Sequence, residues 1–175
     1  SYNVAMGSHY NGGAMKGLKD GDFNVALGYN ALQGGSTDGQ SPQSNVMIGG
    51  GAGSGGSLIK TPTHNVGIGH TALNRLVDQD YSVGIGYQAG RYATGSRNTF
   101  LGSGAGKGGT TSAPFSSGAS QVAVGYNALT AFTTGGYNIA LGDQAAYRLT
   151  TGNYNIAIGS IALAGTVTGG HNVVL

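Results

Sequence analysis

The stretch Asn138-Ile139-Ala140-Leu141-Gly142 returns seventeen residues later as Asn155-Ile156-Ala157-Ile158-Gly159, and the echo decides the fold. Read outward from this pair, the unit begins at Asn3, Asn24, Asn45, Asn65, Ser82, Asn98, Gln121, Asn138, Asn155 and Asn172. Successive starts are 21, 21, 20, 17, 16, 23, 17, 17 and 17 residues apart. A basic period of 16–17 residues, enlarged in some turns, is the mark of a stacked repeat in which each unit covers its neighbour's apolar surface.

With the opening residue numbered zero, position one is β-branched in every unit: Val4, Val25, Val46, Val66, Val83, Thr99, Val122, Ile139, Ile156 and Val173. Position three is always large and apolar, from Met6 and Leu27 to Ile158 and Leu175. These two positions share a face of an extended strand but not of a helix, and β-branching suits the pleat. Position two is mostly small (Ala5, Ala26, Gly67, Gly84, Ala123, Ala140, Ala157), with Met47 and Phe100 the large exceptions. Position four is Gly in every unit long enough to show it. A strand apolar on both faces reads as buried on both. A narrow coil has only one inside, so the small face is expected to pack against neighbouring subunits, with Met47 and Phe100 widening that packing locally. A second short strand is expected around Ala31, Ala52, Ala72, Ala89, Ala105, Ala128, Ala145 and Ala162. The turn back into each unit carries Gly21, Gly95, Gly118, Gly135, Gly152 or Gly169, where Gly is expected to supply positive φ, and Pro42, Pro62 or Gln79 in the other coils.

Two ladders follow from the stacking. Asn3, Asn24, Asn45, Asn65, Asn98, Asn138, Asn155 and Asn172 are expected to hydrogen-bond from coil to coil. The residue before each is often aromatic or His (Tyr2, Phe23, His64, Tyr81, Tyr137, Tyr154, His171), which predicts a stacked corner. The reading is an all-β, parallel β-solenoid (β-roll) of about ten coils, one domain over residues 1–175. The chain starts at Ser1 rather than Met, and both ends cut through the repeat, so a segment of a longer fibre is expected.

Composition narrows function. Gly contributes 36 of 175 residues, too few for the every-third-residue pattern of collagen. Eight Lys plus Arg are scattered, so no phosphate-tracking patch forms and no nucleic-acid partner is expected. No apolar run approaches a membrane span, and with Cys absent disulfides are excluded. Gly84 to Gly90 grazes a dinucleotide fingerprint, but the pattern recurs in coil after coil. Ser103 to Gly108 hints at a phosphate loop, yet Leu101 stands where its first Gly belongs. The pairs Asp20/Asp22 and Asp78/Asp80 lie in turns, and no Glu is present to pair with them across a cleft. A partial Thr row in the last coils is too short for an ice-binding face. No catalytic residue, metal site or cofactor is expected. Turns at roughly 33–44, 50–63 and 103–120 are enlarged, and surface insertions of this kind commonly carry recognition. Lys60, Lys107 and Phe115 are the receptor-contact candidates there.

The strings at 24–32, 65–73, 122–129, 138–146 and 155–163 resemble the YadA-like head repeats of trimeric autotransporter adhesins, and more closely the repeat arrays of phage tail-fibre and tail-spike proteins. The resemblance spans essentially the whole chain, though autotransporter heads have a shorter repeat with Ser where Ala follows the Gly here. It implies three chains around one axis, an extracellular location on a virion tail fibre or bacterial surface, and attachment to a host-surface glycan or protein. The alternative is a self-assembling extracellular filament or matrix protein without a dedicated receptor.

Overall fold

The computed structural model describes residues 2–7, 13–18, 20–34, 40–55, 59–109, 115–165 and 168–175. Its ten strands are β1 (Val4–Met6), β2 (Val25–Leu27), β3 (Val46–Ile48), β4 (Val66–Ile68), β5 (Val83–Ile85), β6 (Thr99–Leu101), β7 (Val122–Val124), β8 (Ile139–Leu141), β9 (Ile156–Ile158) and β10 (Val173–Val174). They form one parallel sheet in chain order, so each repeat is one rung of a β-solenoid of about nine turns. Register is in step throughout: Val66 pairs Val83, Gly67 pairs Gly84 and Ile68 pairs Ile85.

The two strand faces are the reverse of the sequence expectation. From β2 to β9 the central, position-two residue is buried, while positions one and three are half-buried or exposed. The small side is therefore the inside of the chain's own coil, and the Val/Ile/Leu side faces out. The interior is filled by position two together with the alanines at position seven, Leu32, Leu73 and Leu129 at position eight, and Leu76, Phe132 and Leu149 three residues further on. With three other columns pointing into so thin a cross-section, Ala or Gly is what fits at position two.

Met47 and Phe100 lie inside the coil, not on a face towards a neighbouring copy. Each is matched by Gly at position eight of its own rung, Gly53 and Gly106, where other rungs have Leu. A Cβ on Gly53 would lie 2.6 Å from Met47 Sδ, and one on Gly106 would run into the Phe100 ring. The β5 rung has Gly at both positions, and its neighbours fill it: a Cβ on Gly90 would sit 2.7 Å from Leu73 Cδ2 and 2.8 Å from Phe100 Cδ2. Volume is thus exchanged between positions two and eight within the β3 and β6 rungs and supplied by adjacent rungs at β5, whereas the β8 rung has Ala at both, Ala140 and Ala146.

The expected second strand is absent among the described residues; that segment is a turn. Positions six and eight both have positive φ whatever their side chain, as Asn30 (55°), Leu32 (50°), Thr71 (54°) and Leu73 (46°) show. So does the residue before each unit, from Phe23 (59°) to His171 (63°). Left-handed backbone costs a bulky residue roughly 1–2 kcal/mol. Here it aims each N–H at an adjacent rung: Thr71 N–H donates to the Gly50 carbonyl (2.9 Å), Leu73 N–H to Ala89 (2.9 Å) and Tyr81 N–H to Thr63 (3.1 Å). A minor second ladder of isolated parallel bridges links Asp22, Gln43, Thr63 and Asp80.

Gly at position four is obligatory for two reasons. Its φ is +121° to +133° from Gly28 to Gly159. A Cβ on Gly69 would also stand 2.5 Å from the Gly86 carbonyl oxygen one rung away. At the return turn the expected positive φ occurs only at Gly21 among the described residues. Gly95, Gly118, Gly135 and Gly152 are needed there because a Cβ would strike the backbone of the next coil.

Candidate functional site

Two features organise the surface: a buried polar spine that sets the stacking, and an aliphatic strip that the stacking presents. In the spine, Asn45 Oδ1 accepts the Asn65 backbone N–H and its side-chain Nδ2, both at 3.0 Å. Asn65 Nδ2 also donates to the Gln79 carbonyl at 2.7 Å. The bonds run rung to rung from Asn3 to Asn172 and include all eight expected asparagines. Ser82 and Gln121 do not break the column. Ser82 Oγ accepts the Asn98 N–H at 3.2 Å, and Gln121 Oε1 accepts the Asn138 N–H at 3.2 Å. From Asn24 to Asn155 the column is shut away from water, so each satisfied amide is worth more to the native register than an exposed one.

Outside, positions one and three form two parallel columns with no charged residue in any rung. At rung spacing near 4.8 Å, ten rungs make a strip about 45 Å long and about 12 Å wide, on the order of 550 Å². That is at the upper end of what monomeric soluble proteins expose as one apolar patch. The aromatic corner flanks one side, stacked at Tyr2/Phe23 (5.4 Å), His64/Tyr81 (5.0 Å), Tyr137/Tyr154 (5.0 Å) and Tyr154/His171 (5.1 Å). Ser44, Arg97 and Ser120 interrupt it. A second column, invisible in the motif reading, flanks the other side at position five: Tyr29, His70, Tyr87 and Tyr126, with His70 and Tyr87 5.8 Å apart.

The receptor-contact candidates are not gathered into one site. Lys60 is exposed and lies 3.9 Å from Asp78, while its N–H donates to the Val77 carbonyl. Phe115 is half-buried: its ring stacks on Tyr92 at 6.5 Å and carries the Arg75 guanidinium at 5.2 Å. Lys107 borders the same Tyr92, whose N–H donates to the Lys107 carbonyl. The tips of the enlarged turns at 35–39, 56–58 and 110–114, including Pro114, lie outside the described residues. Their flanks are tied into the stack, since Gln40, Ile59 and Ser116 are buried.

Asp78 and Asp80 are occupied as turn acceptors, from Thr61 Oγ1 (2.8 Å) and Thr63 Oγ1 (2.9 Å) respectively. Among the described residues no three His, Cys, Asp or Glu are placed to hold a metal ion, and no helix is long and apolar enough to cross a membrane. Compared with family models, curated proteins and solved structures, the chain matches none.

Proposed function

We propose that this chain is a structural and adhesive segment of a homotrimeric extracellular fibre, in which the aliphatic strips of three copies meet at the fibre axis and the aromatic columns and enlarged turns face outward for attachment. The uncharged strip carries this reading, because a surface of Val, Ile and Leu in register over ten rungs, varied by Met6 and Thr99, gains most by burial against the same surface on another copy. The repeat strings' resemblance to trimeric adhesin heads and tail-fibre arrays supports the number three and the attachment role. A strip on the order of 550 Å² is about two thirds of the roughly 800 Å² that each partner contributes to a standard interface.

This corrects the earlier expectation about which face meets a neighbour. Copies meet through positions one and three, because position two is already used inside each coil. The second reading, a self-assembling extracellular filament without a dedicated receptor, draws on the same uncharged strip, which more than three copies could share.

Immunogold imaging of intact source particles or cells tests the proposal. Antibody to the chain should decorate projecting fibres, and label confined to the interior would refute it. A sedimentation series over concentration separates the readings: a species of fixed size supports the trimer, whereas open-ended growth supports the filament.

A further inference from the structure

The position-five aromatic column is interrupted at Gly50 and again at Ser103, and the first break is the wider because Gly has no side chain. Tyr29 and His70 are two rungs apart, and the rung between them has Gly50 at position five and Gly51 at position six. The missing side chains leave a notch of about 510 Å³, lined by Tyr29, Asn30, Ser54, His70, Thr71, Asn74 and Arg91 as well as the two glycines. Two rungs span about 10 Å, so one ring inserted midway would lie about 5 Å from each wall. That matches the ladder's own spacing, 5.8 Å between His70 and Tyr87.

The polar groups around this gap are unusual in being unsatisfied. Asn30 Oδ1, Thr71 Oγ1 and Arg91 Nε are buried with no hydrogen-bond partner among the described residues. Polar atoms held in that state are costly unless a partner reaches them. Both Thr71 and Asn30 line the notch. Asn74 is already braced, its Nδ2 donating to the Gly51 carbonyl at 2.9 Å, and holds the floor in place. Among the described residues no acidic side chain lines the notch, and Arg91 is the one Lys or Arg that does.

We infer that the notch binds one pyranose ring of an acidic saccharide, its C–H face between Tyr29 and His70, its hydroxyls on Asn30 and Thr71, and its carboxylate on Arg91. Two ring walls with converging polar partners suit a sugar, which has both an apolar face and hydroxyl edges. The Arg91 guanidinium packs over the Tyr92 ring at 4.9 Å but leaves its Nε without a hydrogen-bond partner, and such a group suits a carboxylate, which it meets with charge-assisted hydrogen bonds. The site goes beyond the proposed assembly, because a single chain forms it entirely from positions five, six and nine, beyond the edge of the aliphatic strip.

The decisive variant is Gly50→Tyr. Gly50 is not among the positive-φ residues, and a Cβ there meets nothing closer than His70 Cδ2 at 3.4 Å. Tyr occupies the same position in three other rungs, so the variant fills this break in the column without breaking the coil. Saturation-transfer NMR and titration calorimetry should be run with a hyaluronan tetrasaccharide as the acidic probe and maltotetraose as the neutral one. Wild type is expected to bind the acidic probe, Gly50→Tyr to lose binding, and Arg91→Gln to weaken it about tenfold, each with unchanged far-UV circular dichroism. No binding by wild type, binding unaffected by Gly50→Tyr, or equal binding of maltotetraose would each overturn the assignment. Sedimentation of the same samples reports assembly separately, so failure of the notch and failure of the trimer are told apart.

Discussion

Phe100 offers the sharpest test of how the coil is filled. Its ring is fully buried, contacts Phe132 at 5.8 Å, and occupies the space that Leu fills from position eight in other rungs. Phe100→Ala should cost about 4 kcal/mol, well within the usual range for losing a buried ring, because Gly90 and Gly106 bring no side chains to collapse into the void. Gly106→Leu alone should cost about 2 kcal/mol, since the new side chain runs into a ring with nowhere to go. Combined, the two recreate the Ala123/Leu129 arrangement of the β7 rung. Leu129 already holds a φ of 53°, equal to that of Gly106, so the backbone accepts the exchange. The double variant should therefore lose only about 3 kcal/mol, rather than the additive total near 6, a coupling of about 3 kcal/mol at the top of the range for contacting residues. Urea unfolding followed by far-UV circular dichroism measures all three. If the double variant is as unstable as the two losses added, position eight does not substitute for position two, and the volume-exchange reasoning is wrong.

Three further outcomes follow from the stacking. Asn65→Ala should lower stability by about 2–4 kcal/mol, because the Ser82 N–H and the Gln79 carbonyl lose buried partners; Asn3→Ala, at the exposed end, should cost under about 1 kcal/mol. Thermal melts of the pair read the contrast directly. Gly69→Ala should abolish folding or cost more than about 4 kcal/mol, while Gly50→Ala should change stability by less than about 1 kcal/mol, as judged by soluble yield and denaturation midpoint. Lys60→Ala should shift stability by no more than about 0.5 kcal/mol, since its ion pair with Asp78 is solvent-exposed; a larger loss in denaturation would show that Lys60 is structural.

Much of this architecture was legible because the repeat writes itself ten times. The strand positions, their parallel register and the Asn column all follow from β-branched residues at position one and Asn at position zero. The direction of the strand faces was not legible, because a strand apolar on both sides lacks the polar contrast that marks an outside. Residue size held the missing signal. Met47 with Gly53, Phe100 with Gly106, and Ala123 with Leu129 exchange volume, as only residues sharing one interior would. The turn at positions six to eight was misread as a strand because Leu32, Leu73 and Leu129 take left-handed φ, which nothing in an Ala-Leu pair advertises. The Gly50 notch was hidden for a related reason. Among 36 glycines, one that interrupts an aromatic column stands out only once the column itself is seen.

The outward aliphatic strip is best tested by weighing the assembly. Native mass spectrometry of wild type should show three chains, and Ile85→Asp, which places a charge mid-strip on β5, should give a folded single chain. A wild-type monomer at micromolar concentration, or a trimer indifferent to Asp at position 85, would mean that the strip faces water or something other than another copy.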